Sequence, residues 1–359
     1  MGKVNFFVYG MVLCLALALA ACVSSPATGI SQSGGASSGG GRPPWISSVD
    51  SVYGKAQYVA AVGSGNDRQA AERDAFARLI SIFGQSIMVD DKISSLYNDA
   101  VRNGIITNWT ESNTVQSTIS TSASMDKLVG AEIKEVWTDP RGTVYAAAVM
   151  EKTQTARLYS DMISANLGMI NNLVNMTAVE KNTLAGYSRY QFAAAVADIN
   201  ISYKNVLDVI GAPVPGGVKS GFDYRQELDN IVSAIPIAVV VTGDRAGRIQ
   251  AAVSGALFDL GFRSDGSRSR RYIVEATLSI REEPNPASTY RFARYEIIVN
   301  LADTVPSKAV LVPFSASDRE GHNSYELAEN RALMKAEEKI RVDYKNLLND
   351  YLSRMLPKK

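Results

Sequence analysis

Acid–base catalysis is the first chemistry that the sequence suggests, because the only histidine of the chain lies two residues after a glutamate. These residues are Glu320 and His322. A histidine serves as a general base when a nucleophile and an orienting carboxylate lie within hydrogen-bonding distance of it. The pair also precedes a predicted helix, which Asn323 or Ser324 would cap. We therefore interpret His322 as a loop residue before that cap, with a hydrolytic centre on Glu320 and His322 as the alternative.

Two pairs of adjacent acids are further candidates for an acid–base site. Asp90-Asp91 follows a predicted helix, and Glu282-Glu283 follows a predicted strand and precedes Pro284. We interpret both pairs as solvated turn residues. One histidine cannot supply a histidine-rich metal site, and the carboxylates lack the spacing of a calcium-binding loop. The sequence therefore predicts no catalytic residue, no metal site and no cofactor.

Gly63-Ser64-Gly65 suggests nucleotide binding, because it follows a predicted strand and precedes a predicted helix. The dinucleotide fingerprint requires a third glycine, which would fall at position 68, and a parallel strand–helix–strand unit. Position 68 is Arg68, and a hairpin is predicted downstream. We therefore predict that the glycines form a turn.

The two cysteines, Cys14 and Cys22, both lie near the start of the chain. Lys3 is followed by an apolar run from Phe6 to Ala20, which is shorter than the ~18 to 20 residues of a stable membrane span. This profile is typical of a secretory signal. Cys14 would be removed with the signal, so the mature chain would hold one cysteine and no disulfide.

The residues before Cys22 define the type of signal. Leu19-Ala20-Ala21-Cys22 resembles the bacterial lipobox, in which the cysteine receives diacylglycerol and its new amino group receives an acyl chain such as palmitate. We predict that Cys22 is the lipid anchor; the alternative is an ordinary signal peptide with a chance cysteine. Val23 is not the aspartate that favours inner-membrane retention in enterobacteria. We therefore expect an outer-membrane protein that faces the periplasm.

The bulk composition excludes nucleic acid as an expected partner. The 37 basic and 36 acidic residues nearly cancel, whereas nucleic-acid binding requires a basic excess. A local basic cluster at residues 263–271 contains serines and a glycine. We interpret this cluster as a solvated loop, with an anion or lipid-headgroup patch as the alternative.

The periodicity of the sequence predicts an α+β fold. Residues 57–65 read as a buried strand followed by the glycine turn, and Asn66 would cap a helix that runs from about Asp67 to Met88. Two further strands would form a hairpin about Asp139-Pro140-Arg141-Gly142, which gives one helix on an antiparallel sheet. A Ser/Thr-rich run at residues 113–125 favours another strand.

The rest of the chain predicts a helical middle and a second α+β module. Its predicted elements are helices over 154–211, a strand over 235–243, a helix over 245–260, strands near 271–281, 291–301 and 308–316, and a helix over 324–355. The predicted segments are the signal peptide (1–21), the lipidated cysteine and a flexible Ser/Gly tether (22–42), an α+β domain (43–153), a helical segment with linker (154–221) and a C-terminal α+β domain (222–359). AAERDAF at 70–76 and LAENRAL at 327–333 suggest that the modules are related.

The first module contains four stretches in a defined order: a tryptophan after a proline pair, YVAAVGSG, DRQAAERDAFARLI and EVWTDPRGTVYAAAVMEK. With these stretches, about residues 43–155 resemble the LPP-twenty family of bacterial lipoproteins. The resemblance implies an outer-membrane or surface lipoprotein with a helix-on-sheet module. Related modules occur in accessory proteins of the flagellar outer-membrane apparatus. The family carries no catalytic residues.

These observations favour a non-enzymatic lipoprotein that binds or scaffolds other envelope proteins, such as flagellar, secretion or cell-wall machinery. The expected partners are the membrane, through Cys22, and envelope proteins. A second copy of the chain could pair at an exposed edge strand. The alternatives are a surface-exposed antigen or adhesin and, less favoured, an envelope hydrolase.

Overall fold

The computed structural model describes residues 41–84, 91–102, 128–266 and 270–357. Within these residues it shows the predicted α+β fold, with two sheet modules on either side of a helical middle. Cys14, Cys22, Asp90 and the predicted strand at 113–125 lie outside the described residues. None of the described helices is long and apolar enough to cross a membrane.

The first sheet is antiparallel, as predicted, with strand order β1-β3-β2. Its strands are β1 (Tyr58–Gly65), β2 (Ala131–Thr138) and β3 (Val144–Glu151). The predicted hairpin joins β2 and β3, and Asp139 closes its turn by accepting from the N–H groups of Arg141 and Thr143. Helix α2 (Arg68–Phe83) packs on one face of this sheet.

The predicted glycine turn is wrong, because Gly63 and Gly65 lie inside β1. A Cβ at Gly63 would stand 2.0 Å from the backbone nitrogen of Ala75, and one at Gly65 would stand 2.5 Å from that of Ala71. Both distances are far below van der Waals contact. The glycines therefore allow the backbone of α2 to approach the strand closely.

Helix α2 begins one residue later than predicted. Asp67, and not Asn66, is the N-cap, and its side chain accepts from the N–H of Ala70 at 2.8 Å. Leu79 of this helix is fully buried, whereas Ile82 is exposed. Helix α3 (Asp91–Arg102) begins with Asp91, one of the paired acids, in its first turn.

The opposite face of the first sheet is covered by the chain that precedes β1. A short helix, α1 (Pro44–Ser47), buries Trp45 against Trp137, Ala147 and Val149. A 3₁₀ turn (Val49–Ser51) follows α1. Strand β3 is therefore buried on both faces, which explains why it lacks the alternation of a half-exposed strand.

The helical middle continues the core of the first sheet. It comprises α4 (Lys152–Val174), α5 (Ala178–Lys181), α6 (Leu184–Ile210) and, after irregular chain, α7 (Gly221–Ala234). The buried side chains of α4 and α6 share one hydrophobic cluster with those of α2 and α3. Inside it, Asn166 donates to the amide oxygen of Asn200 at 2.8 Å.

The second sheet is mixed, with strand order β5-β4-β6-β7-β8. Its strands are β4 (Pro236–Thr242), β5 (Arg263–Asp265), β6 (Tyr272–Glu282), β7 (Arg291–Asp303) and β8 (Ala309–His322). Helix α8 (Arg248–Asp259) follows β4, which runs parallel to β5 and β6. Strands β6, β7 and β8 are antiparallel.

The C-terminal part of the chain differs from prediction in two places. Strand β8 extends to His322, so His322 ends a strand and is not a loop residue. The final helix consists of α9 (Tyr325–Lys339), a π-helical turn (Ile340–Tyr344) and α10 (Lys345–Ser353). Ser324 caps it by accepting from the N–H of Leu327 at 3.3 Å, as one of the two predicted caps.

Candidate functional site

The structure brings four of the sequence-selected residues to one end of the second sheet. Glu282 ends β6, Glu283 follows it, and Glu320 and His322 lie at the end of β8. Ala293 on β7 stands opposite both Glu282 and Glu320. These four residues are therefore neighbours because of strand register, although almost forty residues separate the pairs in sequence.

Both glutamates of the β6 pair are held in ion pairs and are not the freely solvated turn charges that we predicted. Glu282 binds the guanidinium of Arg291. Glu283 binds Arg294 and also Arg319, the latter at 3.2 Å. The hydrogen bond from Arg294, with the charge of both arginines, lowers the pKa of the Glu283 carboxyl below its ordinary value. The Glu283 carboxylate is therefore suited to holding arginines and not to carrying a proton.

His322 is half-buried and bonded to the backbone. Its Nδ1 atom accepts from the N–H of Asn323 at 2.8 Å, so the neutral ring carries its proton on Nε2. Glu320 lies on the same side of β8. Among the described residues no carboxylate hydrogen-bonds His322. In the described part of the chain, no carboxylate therefore orients His322 as a general base requires.

Two concave surfaces adjoin these residues. A pocket of about 310 Å³ is lined by Tyr290, Phe292, His322 and Arg331, with Gly321 and Asn323. A groove of about 570 Å³ lies along α9 and includes Glu320 and the exposed Met334. The alternative hydrolytic centre would thus be shared between a pocket that holds His322 and a groove that holds Glu320.

The floor of the larger groove is a charge network. Arg248 at the start of α8 and Arg341 in the π-helical turn both bind Glu337. Burial alone would raise the pKa of Glu337, but the hydrogen bonds from Arg341 and Arg248 outweigh it and lower the pKa. The network clamps the final helix to α8.

The basic cluster at residues 263–271 is only partly a loop. Arg263–Asp265 forms β5, and residues 267–269 lie outside the described part of the chain. Arg270 binds Asp265 at 2.6 Å, and Arg271 binds Asp303 at 2.9 Å. Arg270 and Arg271 are thus each paired with an aspartate of the fold.

Three arginines that we did not predict as site residues lie on the face of the second sheet that α9 does not cover. Arg281, Arg294 and Arg319 are directly opposite one another on β6, β7 and β8. Their spacing along the chain has no period. Strand alternation would have placed each on a solvent face, but only the register could align them.

Residues 43–151 match the family described as LPP20 lipoprotein. This agrees with the resemblance drawn from the tryptophan, the glycine-containing strand and the hairpin. No curated protein matches the chain. The match supports the interpretation that the chain is a bacterial lipoprotein of the cell envelope.

Several solved structures are similar to the chain at low sequence identity. The secreted protein HP1454 from Helicobacter pylori is 15% identical, with a TM-score of 0.38 over 79% of this chain and 98% of its own. A minor lipoprotein from Acinetobacter baumannii is 14% identical, with a TM-score of 0.24 over 33% of this chain and 90% of its own. A lipoprotein from Caulobacter crescentus is 15% identical, with a TM-score of 0.21 over 33% and 87%.

Proposed function

We propose that the chain is an outer-membrane lipoprotein that is anchored through Cys22, faces the periplasm and binds or scaffolds other envelope proteins without catalysing a reaction. The lipobox-like Leu19-Ala20-Ala21-Cys22 and the lipoprotein family match over residues 43–151 support the anchor. A flexible tether of about twenty residues would have a reach of about 25 Å. The folded part can thus contact partners away from the membrane surface.

The observation that carries the binding role is the pairing of the candidate acids. Glu282 and Glu283 are held by Arg291, Arg294 and Arg319, so their charge stabilises the sheet end. The end of the second sheet is therefore a polar surface whose acids are held in ion pairs. Such a surface is suited to a partner protein, and in the described part of the chain the candidate base His322 hydrogen-bonds to no carboxylate.

The first test is cross-linking in intact cells with an affinity tag after Lys359, followed by identification of the captured proteins. We expect a reproducible set of flagellar, secretion or cell-wall synthase components. The matched control is Cys22→Ser, which should lose most of that set because the protein leaves the membrane. Capture of the chain alone, or the same set with Cys22→Ser, contradicts an anchored scaffold.

The anchor has a separate test, because metabolic labelling with a palmitate analogue reports acylation directly. We expect the label on the wild-type protein and on Cys14→Ser, since Cys14 would be cleaved off with the signal. Cys22→Ser should carry no label. Label that persists on Cys22→Ser would show that the anchor is elsewhere.

Two further experiments address the orientation and the absence of catalysis. Protease treatment of intact cells should leave the protein uncut if it faces the periplasm, whereas cleavage would show a surface antigen or adhesin. The double variant Glu320→Gln/His322→Gln should keep the envelope phenotype of the wild type. A null phenotype with normal protein levels would favour a hydrolase.

A further inference from the structure

Three arginines form one straight row across the open face of the second sheet. Arg281 on β6 stands opposite Arg294 on β7, which stands opposite Arg319 on β8. Neighbouring strands are about 5 Å apart, so the row spans about 10 Å. The row lies on the face that turns away from α9, because the alternate residues, such as Ala293 and Tyr295, are buried in the core.

The charge of this row is only partly balanced. Glu283 binds Arg294 and Arg319, while Arg281 forms no salt bridge with any carboxylate in the described part of the chain. Like charges directly opposite each other destabilise a sheet. The contrast with Arg270 and Arg271, each of which has its own aspartate, shows that this fold pairs arginines elsewhere.

The neighbouring side chains leave the three guanidinium groups accessible and hold that of Arg319 in place. The guanidinium of Arg319 lies 4.7 Å from the centre of the Phe292 ring, and the ring lies against Gly321, where a Cβ would stand 2.7 Å from Cε1. The next cross-strand row consists of Ser279, Glu296 and Ser317, all exposed. The two short serine side chains do not cover the arginines.

We propose that Arg281, Arg294 and Arg319 form a binding site for a phosphate group. Guanidinium groups bind phosphate oxygens in a bidentate manner, and two or three that are already aligned lose little freedom on binding. A bound phosphate offsets the repulsion along the row. The phosphate belongs either to a soluble phosphate ester or to a lipid headgroup, since both present the same oxygens.

The test is thermal unfolding of the full chain carrying Cys22→Ser, in inorganic phosphate and in chloride at equal ionic strength. The melting temperature should rise with phosphate concentration, and the rise should correspond to a Kd of about 1 mM or below. Arg281→Gln should weaken phosphate binding about tenfold while the melting temperature in chloride stays the same or rises, because repulsion is relieved. That pair of readouts separates a lost site from a lost fold.

Arg291→Gln is the matched control. Arg291 lies on β7 on the opposite face of the sheet, paired with Glu282, so its replacement removes the same charge without touching the row. Phosphate binding should be unchanged. Equal weakening by Arg281→Gln and Arg291→Gln, or no phosphate effect on the wild type, overturns the proposal.

Vesicles distinguish the two sources of phosphate. Phosphatidic acid vesicles present a phosphate monoester, and phosphatidylcholine vesicles serve as the neutral comparison. Sedimentation with phosphatidic acid vesicles that Arg281→Gln abolishes indicates a lipid headgroup. Binding of inorganic phosphate without vesicle binding indicates a soluble ester. Absence of Arg281-dependent binding to either probe contradicts the site.

Discussion

In both sheets a helix follows an edge strand directly and packs back onto the same sheet. Strand β1 leads into α2, and strand β8 leads into α9, each through an asparagine and then a capping residue. The short sequence match identified above places Ala71 with Ala328 and Ala75 with Ala332. All four alanines are completely buried.

The two strand–helix units differ in how the helix is tied to the strand. In the first unit Asp74 of α2 accepts from the N–H of Ser64 at 2.8 Å. At the matching positions of the second, Arg331 of α9 donates to the carbonyl of Gly321 at 3.2 Å. The strand residue is thus the donor in the first unit and the acceptor in the second. The shared feature is therefore the packing of small residues, while the polar tie is free to change.

The back face of each sheet is the face that α2 or α9 does not cover. These two faces differ more than the two strand–helix units do. The first sheet buries Trp45 and Trp137 on its back face, so that face contributes to stability. The back of β6, β7 and β8 carries exposed serines and the arginine row. This part of the face is largely exposed to solvent and is therefore available for binding. The predictions below separate these two roles.

The largest effect is expected at the closest approach of helix and strand. Gly63→Ala should lower the free energy of unfolding by about 4 kcal/mol, because its Cβ would overlap the backbone of α2. The matching position of the second unit is Glu320, which is only partly buried. Glu320→Ala should change stability by no more than about 0.5 kcal/mol in the same urea titration. Similar values for both would show that the two packings do not differ.

The next effect compares the backs of the sheets. Trp45→Ala should cost about 3 kcal/mol, since the indole is buried and its removal leaves a cavity. Ile298 on the open back of the second sheet is 41% exposed, and Ile298→Ala should cost less than about 1 kcal/mol. Urea midpoints measure both. A cost for Ile298→Ala as large as that for Trp45→Ala would mean that the second face is covered.

The third prediction compares buried tyrosines in the two cores. The hydroxyl of Tyr159 accepts from the N–H of Val129 at 3.1 Å, whereas the hydroxyl of Tyr344 has no hydrogen-bond partner among the described protein atoms. Tyr159→Phe should cost about 1 kcal/mol by leaving a partly buried N–H unpaired. Tyr344→Phe should be neutral or stabilising. A destabilising Tyr344→Phe would point to a hydrogen bond at that hydroxyl.

Alkaline pH should weaken the contact of α6 with the second core. Burial raises the pKa of Tyr187 to about 12, while an unfolded tyrosine ionises near 10.0. The folded state holds this proton more tightly, so the stabilisation is complete below pH 10 and is lost as the pH rises to 12. Between pH 9 and 11 the wild type should lose about 1 kcal/mol more stability than Tyr187→Phe. Parallel pH profiles would refute the assignment.

The smallest effect tests the polar ties. Asp74→Ala should cost about 1 kcal/mol, because the carboxylate also binds Arg78 at 3.0 Å and its loss removes both contacts. Arg331→Ala should cost only a few tenths of a kcal/mol, since water replaces the guanidinium at an exposed carbonyl. Chemical denaturation of the two variants side by side measures the difference. A larger cost for Arg331→Ala would reverse the comparison.

The elements that the sequence predicted best are those with local signals. The α2 helix, the β2–β3 hairpin and the α8 helix follow from apolar spacing and from turn residues. The end of β8 and the location of Gly63 were predicted wrongly for a common reason. Glycine, histidine and charged residues are typical of turns, and they occur here in strands because of what packs beside them.

The sequence by itself determined the α+β class, the order of the modules, the helical middle and the lipoprotein resemblance, because periodicity, turn chemistry and short motifs are encoded over a few neighbouring residues. Only the tertiary structure decided that Glu282, Glu283, Glu320 and His322 share one sheet end, that Glu282 and Glu283 are paired with arginines there, and that three arginines form a row. Those facts depend on strand register, which is set by the packing of the whole sheet and not by any single segment.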